Sequence, residues 1–426
     1  MRTQQPQPEA GPSELDAALD RLWPGYQSVL AGLVQIPSLS GAESGAQQYL
    51  AAAAREAGLD AELWEVDPQR LSAEAGYAGA DGCAGRRPNL TAVLPGTGGG
   101  RSIAVSGHVD VVPVEPRHLW TRDPFGADIA EGRMYGRGAL DMKGGLVAGL
   151  CAIHAIRECY GALPGTVVFE SVLEEECTGN GTLAARLRGP DVDAAIIPEI
   201  TGEDVQIANP GVLWFEVTVS GKSAYVGLAG ASVNAIEVAT DLISAMRGLP
   251  AELNKAFSHP AYAAYEQPLT LNAGTIKGGY WPSNVPLECV VGFRLAYPLD
   301  WTVPQAQRYV TDYIARVAAG HPWLSSHAPA VRWHGFRAHG YSIEPTAPIV
   351  DLLSKVVAET TGAPARLSPM FGTADARYFA DRQIPAVYYG PAGGGMHSPD
   401  EWVDLASVRR VAHVLANTII RWCAAT

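Results

Sequence analysis

The residues best suited to carry out chemistry are three consecutive glutamates, Glu174, Glu175 and Glu176, which directly follow a short apolar run. That run, residues 166–173, is rich in β-branched side chains and predicts a largely buried strand. Carboxylates crowded at the end of a buried strand repel one another and lose hydration, which is unfavourable unless positive charge offsets it. No lysine or arginine follows before Arg186, so we expect a metal ion to supply that charge.

Histidines and carboxylates elsewhere in the chain could complete a metal site. His108 and Asp110 are two residues apart, so in an extended segment both side chains point the same way. Asp110 can then hold the imidazole of His108 in the tautomer that leaves the other nitrogen free for a metal. Asp141 follows a glycine-rich loop at the start of a predicted helix, Glu199 follows a predicted strand, and His397 lies in a glycine-rich turn.

Each of these signals is weak alone, since most single histidines and most glutamate runs are structural or surface features. As a set, they place histidines and carboxylates at the carboxyl ends of strands or in adjoining glycine loops, where α/β sheets carry their active sites. Such a set suits two divalent cations about 3.5–4 Å apart, which polarise a carbonyl and lower the pKa of water toward about 7. The glycine-rich loops lack the nucleotide-binding patterns, so nucleotide chemistry is not expected.

The elements that must position these residues alternate between helix and strand, which predicts an α/β sheet flanked by helices. The patterns predict helices over residues 15–35, 43–57, 143–160, 349–361 and 405–422, and strands over 89–94, 102–106, 166–173 and 386–389.

The pattern changes between about residues 208 and 338. There, strands are predicted at 212–219, 269–276, 289–295 and 331–333, and helices at 232–249 and 304–318. This order predicts a compact α+β unit inserted into the α/β fold. The predicted organisation is a catalytic domain formed by residues 1–207 and 339–426, with a disordered start of about 1–14, and an inserted domain at 208–338.

The bulk composition limits the class of protein. With 426 residues and 47% hydrophobic content, the chain is typical of a two-domain globular protein. Its formal net charge of −13 argues against nucleic acid and anionic membranes as partners. The first fifteen residues lack the apolar core of a signal peptide, and no apolar stretch approaches the ~18 residues of a membrane span. The six cysteines form no CxxC pair, so we expect reduced thiols and a cytoplasmic location.

With these motifs in place, the chain resembles the M20 metallopeptidase family from about residue 25 to the C-terminus. That family includes acetylornithine deacetylase, succinyl-diaminopimelate desuccinylase, aminoacylase and glutamate carboxypeptidase. The resemblance implies a mixed-sheet metallohydrolase catalytic domain with an inserted α+β lid and dimerisation domain. It therefore also implies a homodimer or a larger homo-oligomer.

The resemblance implies two bound divalent metal ions, with Zn2+ as the first choice and Mn2+ or Co2+ as alternatives. Asp141 would bridge the two ions. His108 and Glu199 would complete one metal site, and Glu176 and His397 would complete the other.

The same resemblance assigns roles to the remaining motif residues. Glu175 would be the general base, which takes a proton from water and delivers it to the leaving amine. Asp110 would orient His108. Glu174, at a position where the family often carries aspartate, would support the site from outside the ligand set.

Four residues match family positions that contact the substrate. Asn284 and Arg294 match positions that line the pocket, and Arg377 matches an arginine that grips a substrate carboxylate, for which a bidentate guanidinium is the natural partner. The alternative is that Arg294 and Arg377 only make structural ion pairs. Tyr225 stands where the family usually carries a histidine that reaches a partner's active site. Unlike a protonated histidine, the neutral phenol of tyrosine carries no positive charge, although it can donate one hydrogen bond to an oxyanion.

Three hypotheses about function remain open. The leading one is a metal-dependent hydrolase that cleaves the amide of an N-acyl amino acid or a similar small carboxylate-bearing amine. An alternative is an aminohydrolase that releases ammonia from an aromatic amino acid such as a nitroanthranilate-type aminobenzoate, motivated by Tyr225 and by Tyr280, Trp281 and Phe371 near the pocket motifs. A third is a non-catalytic binding protein on the same scaffold, which should have lost ligands or the base, whereas this chain retains all of them.

Overall fold

The computed structural model describes residues 12–79, 87–225, 227, 230 and 232–425. Its largest element is an eight-stranded sheet, and a separate four-stranded sheet is built from residues 211–338. Most of the predicted disordered start, residues 1–11, lies outside the described residues, whereas residues 12–14 already belong to the first helix.

The first part of the chain builds most of the large sheet and its covering helices. Its helices are α1 (Pro12–Val34), α2 (Ser44–Glu56), α3 (Pro68–Leu71), α4 (Gly144–Tyr160) and α5 (Asn180–Arg188). Its strands are β1 (Asp60–Glu65), β2 (Pro88–Leu94), β3 (Ile103–His108), β4 (Asp128–Ala130), β5 (Arg133–Tyr135), β6 (Val167–Val172), β7 (Ala195–Ile197), β8 (Val205–Gln206) and β9 (Ala208–Asn209).

The middle of the chain forms the smaller unit, and the last part returns to the large sheet. The middle elements are β10 (Gly211–Ser220), α6 (Ala235–Met246), α7 (Gly248–Ala256), β11 (Leu271–Gly278), β12 (Glu288–Tyr297), α8 (Val303–Gly320) and β13 (Ala330–Ala338). The last elements are β14 (Tyr341–Ser342), α9 (Pro348–Thr361), β15 (Leu367–Ser368), α10 (Ala376–Ala380), β16 (Ala386–Tyr388), β17 (Gly393–Gly394), β18 (Trp402–Asp404) and α11 (Leu405–Ala424).

The strand order of the large sheet is β1-β2-β6-β3-β7-β16-β8-β15. The central strands β6, β3, β7 and β16 run parallel, whereas β1 and β2 are antiparallel neighbours at one edge. Every residue of β3 and β6 is buried, as expected for strands covered by helices on both faces. This arrangement confirms the predicted mixed α/β fold.

The smaller sheet has the antiparallel order β11-β12-β10-β13, and α6 and α8 pack on it. Its core includes Phe215, which stacks on Phe293 with ring centroids 5.3 Å apart. The helix predicted at 232–249 is shorter than expected, because Asn234 caps its start by accepting a hydrogen bond from the Ile236 N–H and a new helix begins at Gly248. The predicted domain boundaries themselves stay a prediction.

One helical stretch among the described residues, Ala139–Tyr160, is apolar and long enough to cross a membrane, with a mean hydropathy of 1.4. The expectation that the chain contains no such stretch was therefore wrong. In the most apolar 18-residue segment of this stretch, 94% is buried inside the protein. Helix α4, which forms most of the stretch, packs against α1 and α11. A helix surrounded by protein needs apolar residues all around, which accounts for its composition.

Candidate metal centre and active site

The carboxyl ends of neighbouring parallel strands converge on one edge of the large sheet. His108 is the last residue of β3, which pairs in parallel with β6 so that His108 lies opposite Val172. The three glutamates follow β6, and Glu199 follows β7 on the other side of β3. Because parallel neighbours end at the same edge, acidic residues reach His108 from both sides.

Asp141 and His397 come from irregular loops. Asp141 lies between Gly138 and helix α4 and has non-helical dihedral angles (φ −112°, ψ 96°). His397 follows β17 in a turn where both Gly395 (φ 74°) and His397 itself (φ 58°) adopt left-handed conformations. Glycine reaches such angles without steric cost, so the glycine-rich sequence around each ligand allows its irregular backbone.

The five predicted ligands form two groups that share Asp141. One group is His108, Asp141 and Glu199, the other is Asp141, Glu176 and His397, and the candidate ligand atoms of each group lie within 4.8 Å of one another. His108 Nε2 lies 3.1 Å from Asp141 Oδ1 and 3.8 Å from Glu199 Oε1. His397 Nε2 lies 3.0 Å from Asp141 Oδ2 and 3.2 Å from Glu176 Oε1.

The chemistry of this donor set fits a pair of divalent cations. Imidazole nitrogens and carboxylate oxygens are the ligands of Zn2+ and similar borderline ions. The group around His108 is buried, whereas His397 in the second group is exposed, so the second group opens to solvent. Glu175, which belongs to neither group, has a buried Oε1 with no hydrogen-bond partner among the described residues.

The electrostatics of the centre reflect crowded, buried acids. Burial raises the pKa of Glu199 to about 8 and that of Glu175 well above its ordinary value, although the nearby His108 opposes both shifts. Burial also acts to raise the pKa of Asp141, but hydrogen bonds from His108 and His397 outweigh it and hold that pKa below its ordinary value. Asp141 is therefore the group that stays a carboxylate, as a bridging ligand must.

Asp110 holds the glutamate turn in place. Its Oδ1 accepts the backbone N–H of Glu175 at 3.1 Å and its Oδ2 accepts that of Glu176 at 3.2 Å. His108 Nδ1 lies 2.9 Å from the backbone carbonyl oxygen of Asp110 but 3.6 Å from its Oδ1. The main-chain carbonyl of Asp110, rather than its carboxylate as expected, thus makes the hydrogen bond that orients His108. Burial raises the pKa of Asp110 to about 7.

Glu174 is held by a buried network outside the two ligand groups. It has φ 61° and accepts hydrogen bonds from Thr178 Oγ1 at 2.8 Å and Asn180 Nδ2 at 3.2 Å. It also pairs with Arg87, whose guanidinium lies 2.9 Å from Glu43 Oε1. The expectation that a metal must offset the whole glutamate run was therefore wrong for Glu174, because Arg87 supplies its counter-charge.

Two cavities meet at the candidate metal centre. The first, of about 540 Å³, is lined by Asp141 and Glu199 and also by Arg366. The second, of about 460 Å³, has an aromatic patch in its wall that includes Trp214, Phe293 and Phe336. The residues that line both cavities are Glu175, Glu176, Arg294, Gly372, Thr373 and His397.

The two arginines of the first cavity differ in their partners. Arg294 donates to the backbone oxygen of Phe371 at 3.3 Å and to Thr270 Oγ1 at 3.4 Å, and the described residues give it no carboxylate partner. Burial lowers its pKa, as expected for a charge with no counter-charge. Arg366 donates from Nε and Nη2 to Asp204 Oδ2 at 2.8 and 2.5 Å. Arg294 is therefore the cavity cation that can take an external anion.

Arg377 lies in a different environment from the one expected for a substrate contact. Its side chain is 1% exposed and lines neither cavity. It donates to the carbonyl oxygens of Ala374 at 2.9 Å and Thr178 at 3.4 Å and lies 3.6 Å from Asp375 Oδ1. This placement favours the alternative of a structural ion pair.

Tyr225 and Asn284 are brought together, but away from the two cavities. They form an isolated antiparallel bridge, and Tyr225 is 66% exposed. Asn284 donates from Nδ2 to the hydroxyl of Tyr280 at 3.0 Å and lines a separate cavity of about 740 Å³ with Trp281. Neither residue is among those that line the two cavities at the candidate metal centre.

Several residues near the centre were not predicted from the sequence. Arg87, Arg366, Trp214 and Phe336 have no motif around them, and only the folded chain brings them to the glutamates or the cavities. Glu401 did have a signal, because it lies four positions after His397, directly behind the glycine-rich turn.

The sequence and fold match known proteins over most of the chain. The family model for peptidase family M20/M25/M40 matches residues 104–421. An N-formyl-4-amino-5-aminomethyl-2-methylpyrimidine deformylase from Halalkalibacterium halodurans is 27% identical over 399 residues, covering 89% of each chain. A succinyl-diaminopimelate desuccinylase from Methylorubrum populi is 29% identical over 416 residues, covering 93% of this chain and 98% of the relative.

A similar fold occurs in the crystal structure of human carnosine dipeptidase 1. The two structures have a TM-score of 0.78 and 17% sequence identity, and the match covers 97% of this chain and 100% of the other. The relatives' names describe enzymes, so the alternative of a non-catalytic binding protein is not retained. The chain belongs to peptidase family M20/M25/M40 and is a hydrolase of C–N bonds.

Proposed function

We propose that this protein is a metal-dependent amidohydrolase that cleaves the amide of an N-acyl amino acid or of a similar small, carboxylate-bearing amine. The observation that supports this most directly is Arg294, a cation to which the described part of the chain offers no carboxylate partner and which lines the same cavity as Glu175. A carboxylate is the natural bidentate partner of a guanidinium. The names of the deformylase and desuccinylase relatives also describe removal of an acyl group.

The two ligand groups would hold two divalent cations, with Zn2+ as the first choice and Mn2+ or Co2+ as alternatives. His108, Asp141 and Glu199 would bind one ion, and Asp141, Glu176 and His397 the other. When bound, such ions polarise the amide carbonyl and lower the pKa of water.

Glu175 is the proposed general base. Among the residues that the structure describes, one oxygen of its buried carboxylate has no hydrogen-bond partner, and the other lies 4.0 Å from His108 Nε2. It takes a proton from the attacking water and returns it to the nitrogen of the leaving amine, so that one residue acts first as base and then as acid. The hydrogen bonds from the Glu175 and Glu176 amides to Asp110 hold the base in place during both transfers.

The inserted unit is the proposed dimer interface. Strand β11 is the edge of the four-stranded sheet and is exposed over nearly its whole length. Tyr225, Tyr280 and Trp281 are large side chains of the same unit that are 63–74% exposed. An exposed edge strand beside apolar surface is suited to pair with a second copy of itself. In that dimer Tyr225 would face a partner's active site, which would account for its exposure and for its not lining the two cavities at the candidate metal centre of its own chain.

A second candidate function is the removal of an amino group from an aromatic acid. The observation in its favour is the aromatic patch in the wall of the 460 Å³ cavity, where Trp214 and Phe336 pack edge to face with centroids 5.1 Å apart. Such a patch accepts an aromatic ring whether that ring belongs to an acyl group or to an aminobenzoate.

Product analysis separates the two candidates. The protein is reconstituted with Zn2+, Mn2+ or Co2+ and incubated with N-formyl, N-acetyl, N-succinyl and N-benzoyl amino acids and with aminobenzoates. The proposed function predicts equal amounts of free amino acid and carboxylic acid by mass spectrometry. Ammonia from an aminobenzoate without any acyl cleavage would instead establish the second function. Protein carrying Glu175→Gln, prepared in parallel, controls for contaminating hydrolases.

A further inference from the structure

Glu401 connects the two loops that carry Asp141 and His397. It is completely buried, and its Oε1 accepts the backbone N–H groups of Leu140 at 3.0 Å and Asp141 at 3.1 Å. Its backbone carbonyl accepts the N–H of Gly136 at 2.8 Å. One residue of the histidine turn is thus hydrogen-bonded to the aspartate loop at three points.

Arg137 completes this connection. Its Nη1 lies 2.5 Å from Glu401 Oε2, so both carboxylate oxygens of Glu401 are engaged. Its Nη2 lies 3.4 Å from the carbonyl oxygen of Pro113, in the segment that follows His108, and its guanidinium lies 5.2 Å from the centroid of the Trp120 ring. The pair therefore links three of the segments that carry predicted ligands.

The position of Asp141 matters more than that of any other ligand. It is the residue shared by both donor groups, and its backbone lies outside regular helix. Without Glu401, the N–H groups of Leu140 and Asp141 would be buried without this acceptor, which is unfavourable and favours a rearranged loop. His397 is exposed, so its position depends on the turn that Glu401 anchors.

We propose that Glu401, neutralised by Arg137, is a positioning residue that fixes the spacing between Asp141 and His397 and thereby sets the affinity for divalent metal. The inference rests on the proposed metal-dependent function. Residues that hold metal ligands in place through hydrogen bonds are expected to change metal affinity when altered, typically by about 10- to 100-fold.

The test measures metal binding, independently of catalysis. The full-length protein and the variant Glu401→Gln are stripped with chelator and titrated with Zn2+ against a chromophoric competitor, and the Co2+ forms are compared by visible absorption. Glutamine keeps the shape but offers one acceptor oxygen and places an NH2 against Arg137. We expect the Zn2+ dissociation constant to rise by about 10- to 100-fold and the Co2+ bands to change.

The matched control is Glu170→Gln. Glu170 is also a buried glutamate paired with a buried arginine, Arg186, but in the described structure its carboxylate accepts no hydrogen bond from the segments that carry the predicted ligands. We expect it to lower thermal stability while leaving the Zn2+ dissociation constant and the Co2+ spectrum unchanged. The double variant R137M/E401Q, which removes both charges, is measured in parallel so that an unfolded E401Q does not prevent the test.

The outcomes separate this inference from the proposed function. If the unaltered protein binds Zn2+ and both Glu401 variants bind it equally tightly with the same Co2+ spectrum, Glu401 is only structural and the inference is wrong. If the unaltered protein binds no divalent metal, the metal-dependent function itself is wrong. Equal weakening by Glu170→Gln would also overturn the inference, because a general loss of stability would then explain the effect.

Discussion

Replacing Arg294 by methionine should reduce activity on acids much more than on matched neutral substrates. The guanidinium is the one cavity cation that the described residues leave without a carboxylate partner, and it shares its cavity with Glu175. We therefore expect it to bind the substrate carboxylate. The comparison uses an N-acetyl amino acid and its carboxamide, which differ only in the group that Arg294 would contact.

The size of the effect follows from the strength of charged hydrogen bonds. A hydrogen bond to a charged group contributes about 1.5–3 kcal/mol, which corresponds to about a 10- to 150-fold loss of kcat/KM for the acid. The carboxamide lacks the charge, so its kcat/KM should change much less. Arg294→Lys should give an intermediate loss for the acid, because it retains the charge but not the bidentate geometry.

Arg366→Met is the matched control for Arg294. Arg366 lines the same cavity, but Asp204 already takes two of its donors. The side chain is 73% exposed, so its removal should change kcat/KM by no more than about fivefold, with no preference for the acid. If Arg294→Met affects acid and carboxamide equally, Arg294 does not recognise the carboxylate. If Arg366→Met discriminates more strongly, the anion site has been assigned to the wrong arginine.

Three further predictions concern the base, the metal-free protein and the interface. Glu175→Gln should lower kcat by about 10²- to 10⁴-fold, because the proposed base is lost. The amount of bound metal, measured by elemental analysis, should stay the same, because no proposed ligand is lost. Unchanged turnover would contradict the assignment of Glu175. After chelation, the free energy of unfolding from urea titrations should fall as pH rises from about 5 to about 8. Burial raises the pKa of Asp110 to about 7 and that of Glu199 to about 8, so the folded protein retains protons that the unfolded chain releases; a flat or rising profile would contradict this. Ile276→Asp, on exposed strand β11, should shift light-scattering mass from dimer toward monomer, and a monomeric parent protein would refute the interface.

The parts of the site that could be predicted from sequence are those fixed by local rules. A β-branched run followed by acids locates a strand end, and parallel strands gather their ends at one edge, so His108, Glu176 and Glu199 could be expected together. The glycines around Asp141 and His397 indicated irregular loops. The family resemblance then implied which ligand belongs to which metal.

The parts that could not be predicted depend on contacts between distant segments. Nothing in the sequence indicates that Arg87 lies beside Glu174, because the two residues meet only when β2 and β6 pair. The same motif match that selected Arg377 as a substrate contact could not show that its guanidinium is buried against Thr178 and Ala374. Motif spacing identifies residue types at a site, but exposure to the cavity is a property of the packed structure.

The three consecutive glutamates show how one short motif divides its roles. Neighbouring carboxylates cannot all face one point, and here the left-handed conformation of Glu174 turns the chain while Arg87 neutralises that side chain. Asp110 then accepts the next two backbone N–H groups, one with each of its two oxygens, whereas asparagine in its place would present one oxygen and an NH2 group. The residue that fixes the proposed base thus adds another buried acid to the centre. Positioning the proposed base and attracting cations are therefore linked, because the same crowding of acids that holds Glu175 also raises the affinity that a pair of divalent ions would have for the site.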